Sequence, residues 1–299
     1  LTGTAQKAYN SGPMMYVYGI FGSGFGLLLA SFLVKKMKDF SNFGTITEYL
    51  ETRYNSKFLR SASAFLSMVA LIALVGSQVG AAVGIMNALG MKNTTIAALF
   101  ACIVIIALTS MGGLMAVTVT DGFQIILVMV GVVWITVAAL GDIGGLSGLN
   151  ASLTAIQSEL PEGYNVFMDS EKFKSLLWMI LPGLMYIMIG QDIYQRLFAC
   201  KDHKTAIKAS VCSAVLVCIV SVMPVTLGLI ARVKHPELAT AGTSAAAFAT
   251  IAMSTLPGWA VGIIIAAALS AIFSTADSCL SAAASHFMTD LYLPYIGKN

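Results

Sequence analysis

Residues 61–91 read SASAFLSMVALIALVGSQVGAAVGIMNALGM and contain no Lys, Arg, Asp or Glu. About 20 apolar residues suffice for a helix to cross the hydrocarbon core of a bilayer. Because the bilayer core offers the backbone no water to bond, such a stretch is predicted to span the membrane as a helix. Residues 14–34, 93–120 and 122–141 are equally free of charge and of about the required length.

The composition of the whole chain agrees with a membrane protein. Of its 299 residues, 58% are hydrophobic and only 10% are charged, whereas soluble domains carry about 25% charged residues. The predicted fold class is therefore all-α, a polytopic membrane helical bundle that forms one transmembrane domain over residues 1–299. Seven full spans are expected: 14–34, 62–89, 94–112, 115–140, 174–195, 206–231 and 257–286. Residues 1–10 are interpreted as the end of an eighth span, and the chain is expected to be truncated at both ends.

Basic residues predict the orientation of the bundle. Of the 17 Lys and Arg residues, eleven fall in one set of loops, and six, Lys7 among them, were assigned to the other. The more basic side is expected to be cytoplasmic, so the chain ends inside the cell. The net charge of +3 is thus explained by topology, and no nucleic acid is expected as a partner. Two short helices are predicted outside the spans, within 44–56 at the inner interface and from Leu149 to Leu160 in an outer loop.

Glycines at fixed spacing predict close helix packing. Gly76, Gly80 and Gly84 recur every four residues and give one helix face a smooth stripe, against which another helix can pack. Gly22 and Gly26 do the same on a smaller scale.

Two carboxylates lie inside predicted spans, where an ionisable residue is costly and is a functional candidate. Asp121 lies about six residues, or roughly 9 Å, into its span. It is interpreted either as a cation-attracting or proton-sensitive acid at an inner water cavity, or as a helix-end acid bonded to neighbours such as Thr118 and Gln124. No specific role is predicted for Asp277.

Small and hydroxyl side chains dominate the last span. Ala271, Ser274 and Thr275 have i, i+3, i+4 spacing and share a helix face. Helical hydroxyls and freed carbonyls are oxygen ligands that suit sodium, a hard cation. Alternatively, small residues permit tight packing and the hydroxyls bond back to their own helix.

The remaining polar residues indicate no enzyme. Tyr186 lies among apolar residues and either faces a cavity or is buried in the core, while Arg196 is interpreted as an anchor at the inner face. The sequence contains no HExxH, no GxSxG and no paired acids at metal spacing. The five cysteines form no CxxC pair, so neither a zinc site nor a disulfide framework is predicted.

Two stretches together resemble the sodium:solute symporter family. GGLMAVTVTDGFQ, residues 112–124, is similar to its G-G-x-x-A-V-x-x-T-D-x-x-Q signature, and ALSAIFSTADSCLSAAASHFMTDLY, residues 268–292, is similar to its second signature. TITEYLETRY at 45–54 and GQDIYQRLFACK at 190–201 agree in order, and TGTAQ, Thr2 to Gln6, resembles the family's broken first core helix.

The resemblance implies a LeuT-type core of two inverted five-helix repeats around a central site. The seven full spans would then be core helices two to eight. Family members move sodium together with sugars, amino acids, vitamins or small carboxylates. The implied function is symport by alternating access in the cell membrane, with sodium as coupling ion and no cofactor. A transporter-like sensor domain of a signalling protein and a channel are the alternatives.

Site residues are carried over from the family by position. Ala271 would lend a carbonyl to sodium, and Ser274 and Thr275 would lend hydroxyls. The remaining carbonyls would come from Thr2 to Thr4 or just upstream.

Further positions of the resemblance concern the solute and the ion path. Asp121 resembles the acid that lines the sodium exit path. Tyr186 resembles the aromatic gate that closes the solute cavity from inside, four residues before Gly190, where several relatives carry an acid or an amide. Gln6 and Gln78 are expected to face the solute.

Overall fold

The computed structural model describes residues 1–37, 43–111, 114–187, 190–240 and 243–297. Within these ranges the chain forms helices and turns, and no strand. The main helices are α1 Thr2–Ser11, α2 Met15–Lys36, α3 Ile46–Tyr54, α4 Lys57–Ala88, α5 Thr94–Met111, α6 Leu114–Asp142, α7 Gly145–Ala155, α8 Ser170–Ile187, α9 Gln191–Phe198, α10 His203–Lys234, α11 Ser244–Thr255 and α12 Gly258–Tyr295. Two of them include a π-helical turn, Ile20–Gly24 in α2 and Phe287–Tyr292 in α12.

Seven segments of the described chain are long and apolar enough to cross a membrane: α2, α4, α5, most of α6, α8 with α9, α10 and α12. Their order matches the seven predicted spans, so the prediction of a polytopic helical membrane bundle is confirmed. The outer face of α5 is apolar, with Leu99, Phe100, Ile103 and Ile106 between 52% and 65% exposed. Lipid tails can cover such a face, whereas water would leave it unfavourably solvated. The inverted-repeat arrangement stays a prediction.

Local sequence explains where several helices begin. Thr45 caps α3 by accepting from the Glu48 backbone, while the Glu48 carboxylate accepts from the Thr45 backbone at 3.2 Å. The Ser56 side chain caps α4 by accepting from the Leu59 backbone N–H, and the Asp202 side chain caps α10 by accepting from that of Thr205. The helix predicted within 44–56 is thus confirmed as α3.

Two connections differ from the sequence-based expectation. The outer-loop helix α7 begins at Gly145 rather than at Leu149. Helix α11, Ser244–Thr255, was not predicted, because its apolar run is too short to span a bilayer and lay in a segment assigned to a connection.

The glycine stripe predicted on α4 packs at one position only. A Cβ added to Gly84 would lie 2.8 Å from the Cβ of Ala245, so that glycine permits the contact with α11. Gly76 and Gly80 have no described atom within 4 Å of an added Cβ, so no described helix packs against these two, and close packing there stays a prediction. On α2, Gly26 is in close contact with Ile187 of α8, as predicted.

Helix α1 is held firmly between its neighbours. Ala5, Ala8 and Tyr9 are fully buried, and an added Cβ at Gly228 of α10 would overlap the Ala5 carbonyl and lie 2.9 Å from the Ala8 Cβ. At the end of α1, the Tyr164 hydroxyl donates to the Ala8 and Tyr9 carbonyls at 2.9 and 3.0 Å. The helix end leaves the Tyr9 carbonyl without a backbone donor, because residue 13 is a proline, whereas the Ala8 carbonyl also accepts from the Gly12 backbone N–H at 2.9 Å. These contacts fix the wall of the cavity described next.

Candidate functional site

A cavity of about 720 Å³ lies between α1, α4 and α12, with Tyr18 of α2 at its side. Pockets of this size hold small molecules. The cavity brings together four residues predicted for the site, Gln6, Gln78, Ala271 and Thr275. Residues 1–4 line it as well, so the backbone expected to complete a sodium site faces the same space as α12.

The hydroxyls of α12 bond back to their own helix. Thr275 Oγ1 donates to the Ala271 carbonyl at 2.8 Å, and Ser274 Oγ donates to the same oxygen at 3.4 Å. Each hydroxyl gives away its proton and keeps lone pairs that can face a cation. Thr275 is exposed to the cavity, whereas Ser274 is not among its lining residues. The Ala271 carbonyl is already shared by both hydroxyls and would reach a cation only after they rotate.

Gln6 and Lys7 of α1 and Tyr18 of α2 are further polar residues of the cavity wall. Gln6 Nε2 donates to Ser244 Oγ at 3.4 Å, and Asn10 Nδ2 donates to the same hydroxyl at 3.2 Å. Lys7 Nζ donates to Tyr18 Oη at 2.6 Å. The assignment of Lys7 to a loop was wrong, since it lies within α1 and lines the cavity. An ionisable residue inside a short helical stretch was the signal that could have identified it.

Asp121 is paired with a basic residue at the predicted cytoplasmic end. Arg196 Nη2 donates to Asp121 Oδ2 at 3.1 Å and to Ser278 Oγ at 2.7 Å. Arg196 therefore joins α6, α9 and α12 in addition to lying at a helix end. Ser278 is one helical turn from Ser274. Of the neighbours proposed for Asp121, Gln124 instead donates to Ser270 at 2.6 Å, and the Thr118 side chain lies outside the described residues.

Tyr186 is separate from the cavity. Its hydroxyl donates to Asp192, and its ring packs beside a buried cluster that contains Leu71 and Cys279. A Cβ added to Gly190 would lie 2.9 Å from the Tyr186 ring. Any side chain at position 190 would therefore require this ring to move, which gives a physical reason for the glycine.

A second polar cluster, which sequence reasoning missed, lies where α3 meets the end of α12. Arg60 donates to Asp290 at 2.7 Å, to Glu51 at 2.7 Å and to Glu48 at 3.0 Å. His286 lies 2.7 Å from the second Asp290 oxygen, and both residues are fully buried. We call Glu48, Glu51, Arg60, His286 and Asp290 the Arg60 cluster. Four of its members fall in two stretches quoted above, 45–54 and 268–292, which was the available signal.

Seven helices of bilayer length define a multi-pass membrane protein, and the cavity between α1, α4 and α12 is its candidate binding site. The chain belongs to the sodium:solute symporter family, whose family model matches residues 1–299.

Individual relatives agree with this assignment. The chain is 29% identical over 265 residues to the sodium/pantothenate symporter of Haemophilus influenzae, covering 85% of this chain and 52% of that protein. It is also 29% identical over 290 residues to the sodium/glucose cotransporter of Vibrio parahaemolyticus, with 85% and 51% covered. Sodium/myo-inositol cotransporter 2 of Mus musculus is 26% identical over 215 residues, with 62% and 32% covered. The chain thus spans about half the length, or less, of these relatives.

Proposed function

We propose that the protein carries out sodium-coupled symport of a small polar solute by alternating access. The observation that supports this most directly is the cavity shared by α1 and α12, because it holds oxygen ligands suited to sodium beside amide groups suited to a polar solute. The relatives are named for pantothenate, glucose and myo-inositol. For this chain the proposed solute class is a sugar, amino acid, vitamin or carboxylate.

In this proposal sodium binds between α1 and α12. Thr275 and Ser274 supply hydroxyl oxygens, Ala271 supplies a carbonyl, and backbone near Thr2 to Thr4 supplies the rest. An ion held between two helices favours the conformation in which those helices are close. Sodium then couples to the solute because both bind better to the same conformation.

Other residues receive roles in the transport cycle. Gln6 and Gln78 contact the solute, Tyr186 gates the cavity from the inside, and Asp121 lines the path by which sodium leaves. The pairing of Asp121 with Arg196 supports a closed path in the conformation described. Tyr186 would reach the solute only after its contact with Asp192 is broken.

The proposal also covers location and partners. The protein lies in the bilayer of the cell membrane with the Arg60 cluster and the end of this chain on the cytoplasmic side, as the distribution of Lys and Arg indicates. It works without a cofactor other than sodium as coupling ion, without nucleic acid and without enzymatic chemistry.

The test is solute uptake into liposomes that contain the protein expressed from its complete reading frame. Labelled glucose, myo-inositol, proline, pantothenate and lactate are offered with an inward sodium gradient or with choline in place of sodium. Accumulation that requires sodium is expected for at least one compound. Uptake that is equal in choline, or that never saturates, contradicts symport and favours a facilitator or a channel. Sodium-dependent binding without accumulation of any compound favours the sensor alternative.

A further inference from the structure

Lys7 is the one charged side chain among the described residues that line the cavity. Its ammonium group contacts Tyr18 both at the hydroxyl, at 2.6 Å, and over the ring, 4.1 Å from the centroid. No described carboxylate forms an ion pair with it. The cavity wall therefore presents a positive charge that no described carboxylate compensates.

The contact with Tyr18 arranges two donors side by side. An ammonium group can only donate, so the Tyr18 oxygen accepts from Lys7. The hydroxyl proton of Tyr18 is then free to point elsewhere and can donate to a bound group, as can the two remaining protons of the ammonium. Adjacent charged and neutral donors match the two oxygens of a carboxylate.

We propose, on the basis of the symport function above, that the transported solute is a carboxylate and that Lys7 and Tyr18 bind its anionic group. A neutral sugar would leave the ammonium without a counter-charge when alternating access closes the cavity to water, which is costly. A phosphate ester is disfavoured because its extra charge and oxygens call for more donors than one lysine and one hydroxyl.

The remaining lining fits the body of such a solute. Gln6, Ser77 and Gln78 offer amide and hydroxyl groups on the walls formed by α1 and α4. The volume of about 720 Å³ leaves room for a polar chain beyond the carboxylate. Hydroxy or amide carboxylic acids are therefore the expected subclass.

An anion in this position also balances the charge of sodium. Lys7 and the proposed sodium ligand Thr275 line the same cavity, so the ammonium opposes sodium binding when the solute is absent. A carboxylate attracts both cations, and each ligand then strengthens the binding of the other. Lys7 is thereby proposed as a residue that determines specificity and coupling.

The experiment compares carboxylates with uncharged counterparts in liposomes that contain the complete protein. Pantothenate is paired with panthenol, gluconate with glucose, and lactate with propanediol, each with and without an inward sodium gradient. Every compound that accumulates is tested with Lys7→Gln, Lys7→Arg and Tyr18→Phe. The control is Lys92→Gln, at an exposed position between α4 and α5.

We expect a carboxylate to accumulate and its uncharged counterpart not to. Lys7→Gln should raise the solute concentration for half-maximal uptake by about tenfold or more. Lys7→Arg and Tyr18→Phe should raise it less, and Lys92→Gln should leave it unchanged. Tyr18→Phe keeps the ring and tests the site even if Lys7→Gln folds poorly. Sodium-dependent accumulation of neutral solutes only would agree with symport and would overturn the proposal that the solute is a carboxylate. Carboxylate uptake that does not depend on sodium would overturn the proposed symport but not the carboxylate site. Accumulation of none of the carboxylates, or half-saturation unchanged in Lys7→Gln, would overturn the proposal for Lys7.

Discussion

Arg60 Nε donates to Asp290 Oδ1 across 2.7 Å, and the Asp290 side chain is fully buried. This pair joins the start of α4 to the end of α12, and Glu48 and Glu51 bring α3 to the same guanidinium. A buried carboxylate is stable only when it is paired and hydrogen-bonded. The position of α12 at this end of the bundle therefore depends on Arg60.

Arg60→Gln should destabilise the protein strongly. The substitution removes the guanidinium group that pairs with the buried Asp290 carboxylate. Breaking such a buried pair costs about 3–5 kcal/mol. His286 and Thr45 still contact Asp290, so the lower end of that range is expected. The free energy of unfolding is measured by SDS titration in mixed micelles.

Two variants check this interpretation. Lys57→Gln, an exposed position at the start of the same helix, should change the unfolding free energy little. The double variant Arg60→Gln/Asp290→Asn should recover part of the loss, since no unpaired carboxylate is left buried. Equal effects of Arg60→Gln and Lys57→Gln would contradict the role of the cluster.

Loss of the Arg196–Asp121 pair should open a leak for sodium. The pair lies one helical turn from Ser274 and is partly exposed, with 49% and 28% of the two side chains accessible. Because exposed pairs contribute at most about 1 kcal/mol, we expect Arg196→Gln to raise solute-free sodium entry about threefold. Radioactive sodium flux into liposomes measures it, with Arg53→Gln as control. A flux unchanged from the wild type would exclude this closure of the path.

Removal of the α12 hydroxyls should weaken sodium binding. Ser274→Ala and Thr275→Ala each delete one proposed ligand, and a loss of about 1.4 kcal/mol raises the sodium concentration for half-maximal uptake about tenfold. Because Thr275 lines the cavity and Ser274 does not, the larger effect is expected at Thr275. Ser281→Ala, at an exposed hydroxyl two turns further along α12, is the control. Unchanged sodium dependence in both variants would remove these residues from the ion site.

Gly228→Ala should displace α1. The added methyl group would overlap the Ala5 carbonyl, and overpacking of this kind costs about 1–3 kcal/mol. Gly262→Ala on α12 meets nothing within 4 Å and should be neutral or slightly stabilising. SDS unfolding and the sodium dependence of uptake are measured for both. If α1 contributes half of the sodium site, Gly228→Ala changes the sodium concentration for half-maximal uptake and Gly262→Ala does not.

Tyr164 should make the fold sensitive to alkaline pH. Burial raises the pKa of the Tyr164 hydroxyl above its ordinary value, because the buried anion is disfavoured. A group whose pKa is raised in the folded state contributes its full stability below the unfolded pKa, about 10, and loses it as pH rises through the folded value. Unfolding should therefore become progressively easier as the pH rises above about 10. Tyr164→Phe should show a shallower pH dependence and, at neutral pH, a loss of about 1–3 kcal/mol for the Tyr9 carbonyl, which is left without a donor. An identical pH slope in the variant would contradict this.

Sequence alone predicted the seven spans, their order and the short helix α3, because hydrophobic length and capping residues act locally. It also identified Gln6, Gln78, Ala271 and Thr275, which the structure brings to one cavity. Whether a residue faces a cavity, however, depends on how each helix is rotated against its neighbours. For that reason the sequence did not show that Gly80 lines the cavity, with no described helix packed against it.

The pairing of Arg60 with Asp290 was missed for a different reason. Arg60 and Asp290 are 230 positions apart, and the sequence around one of them does not indicate that the other is its partner. Lys7 was missed because it was counted among the loop cations, although residues 1–10 were interpreted as the end of a span.

The π-helical turn Phe287–Tyr292 makes this end of the chain sensitive to length as well as to side-chain identity. A π turn accommodates one residue more than an α turn, and Asp290 lies inside it. Deletion of one residue between His286 and Asp290 would restore α-helical spacing and carry Asp290 about 100° around the helix axis, away from Arg60. Single-residue deletions are therefore expected to be rare at this turn among related chains, even where substitutions at its outward positions are frequent.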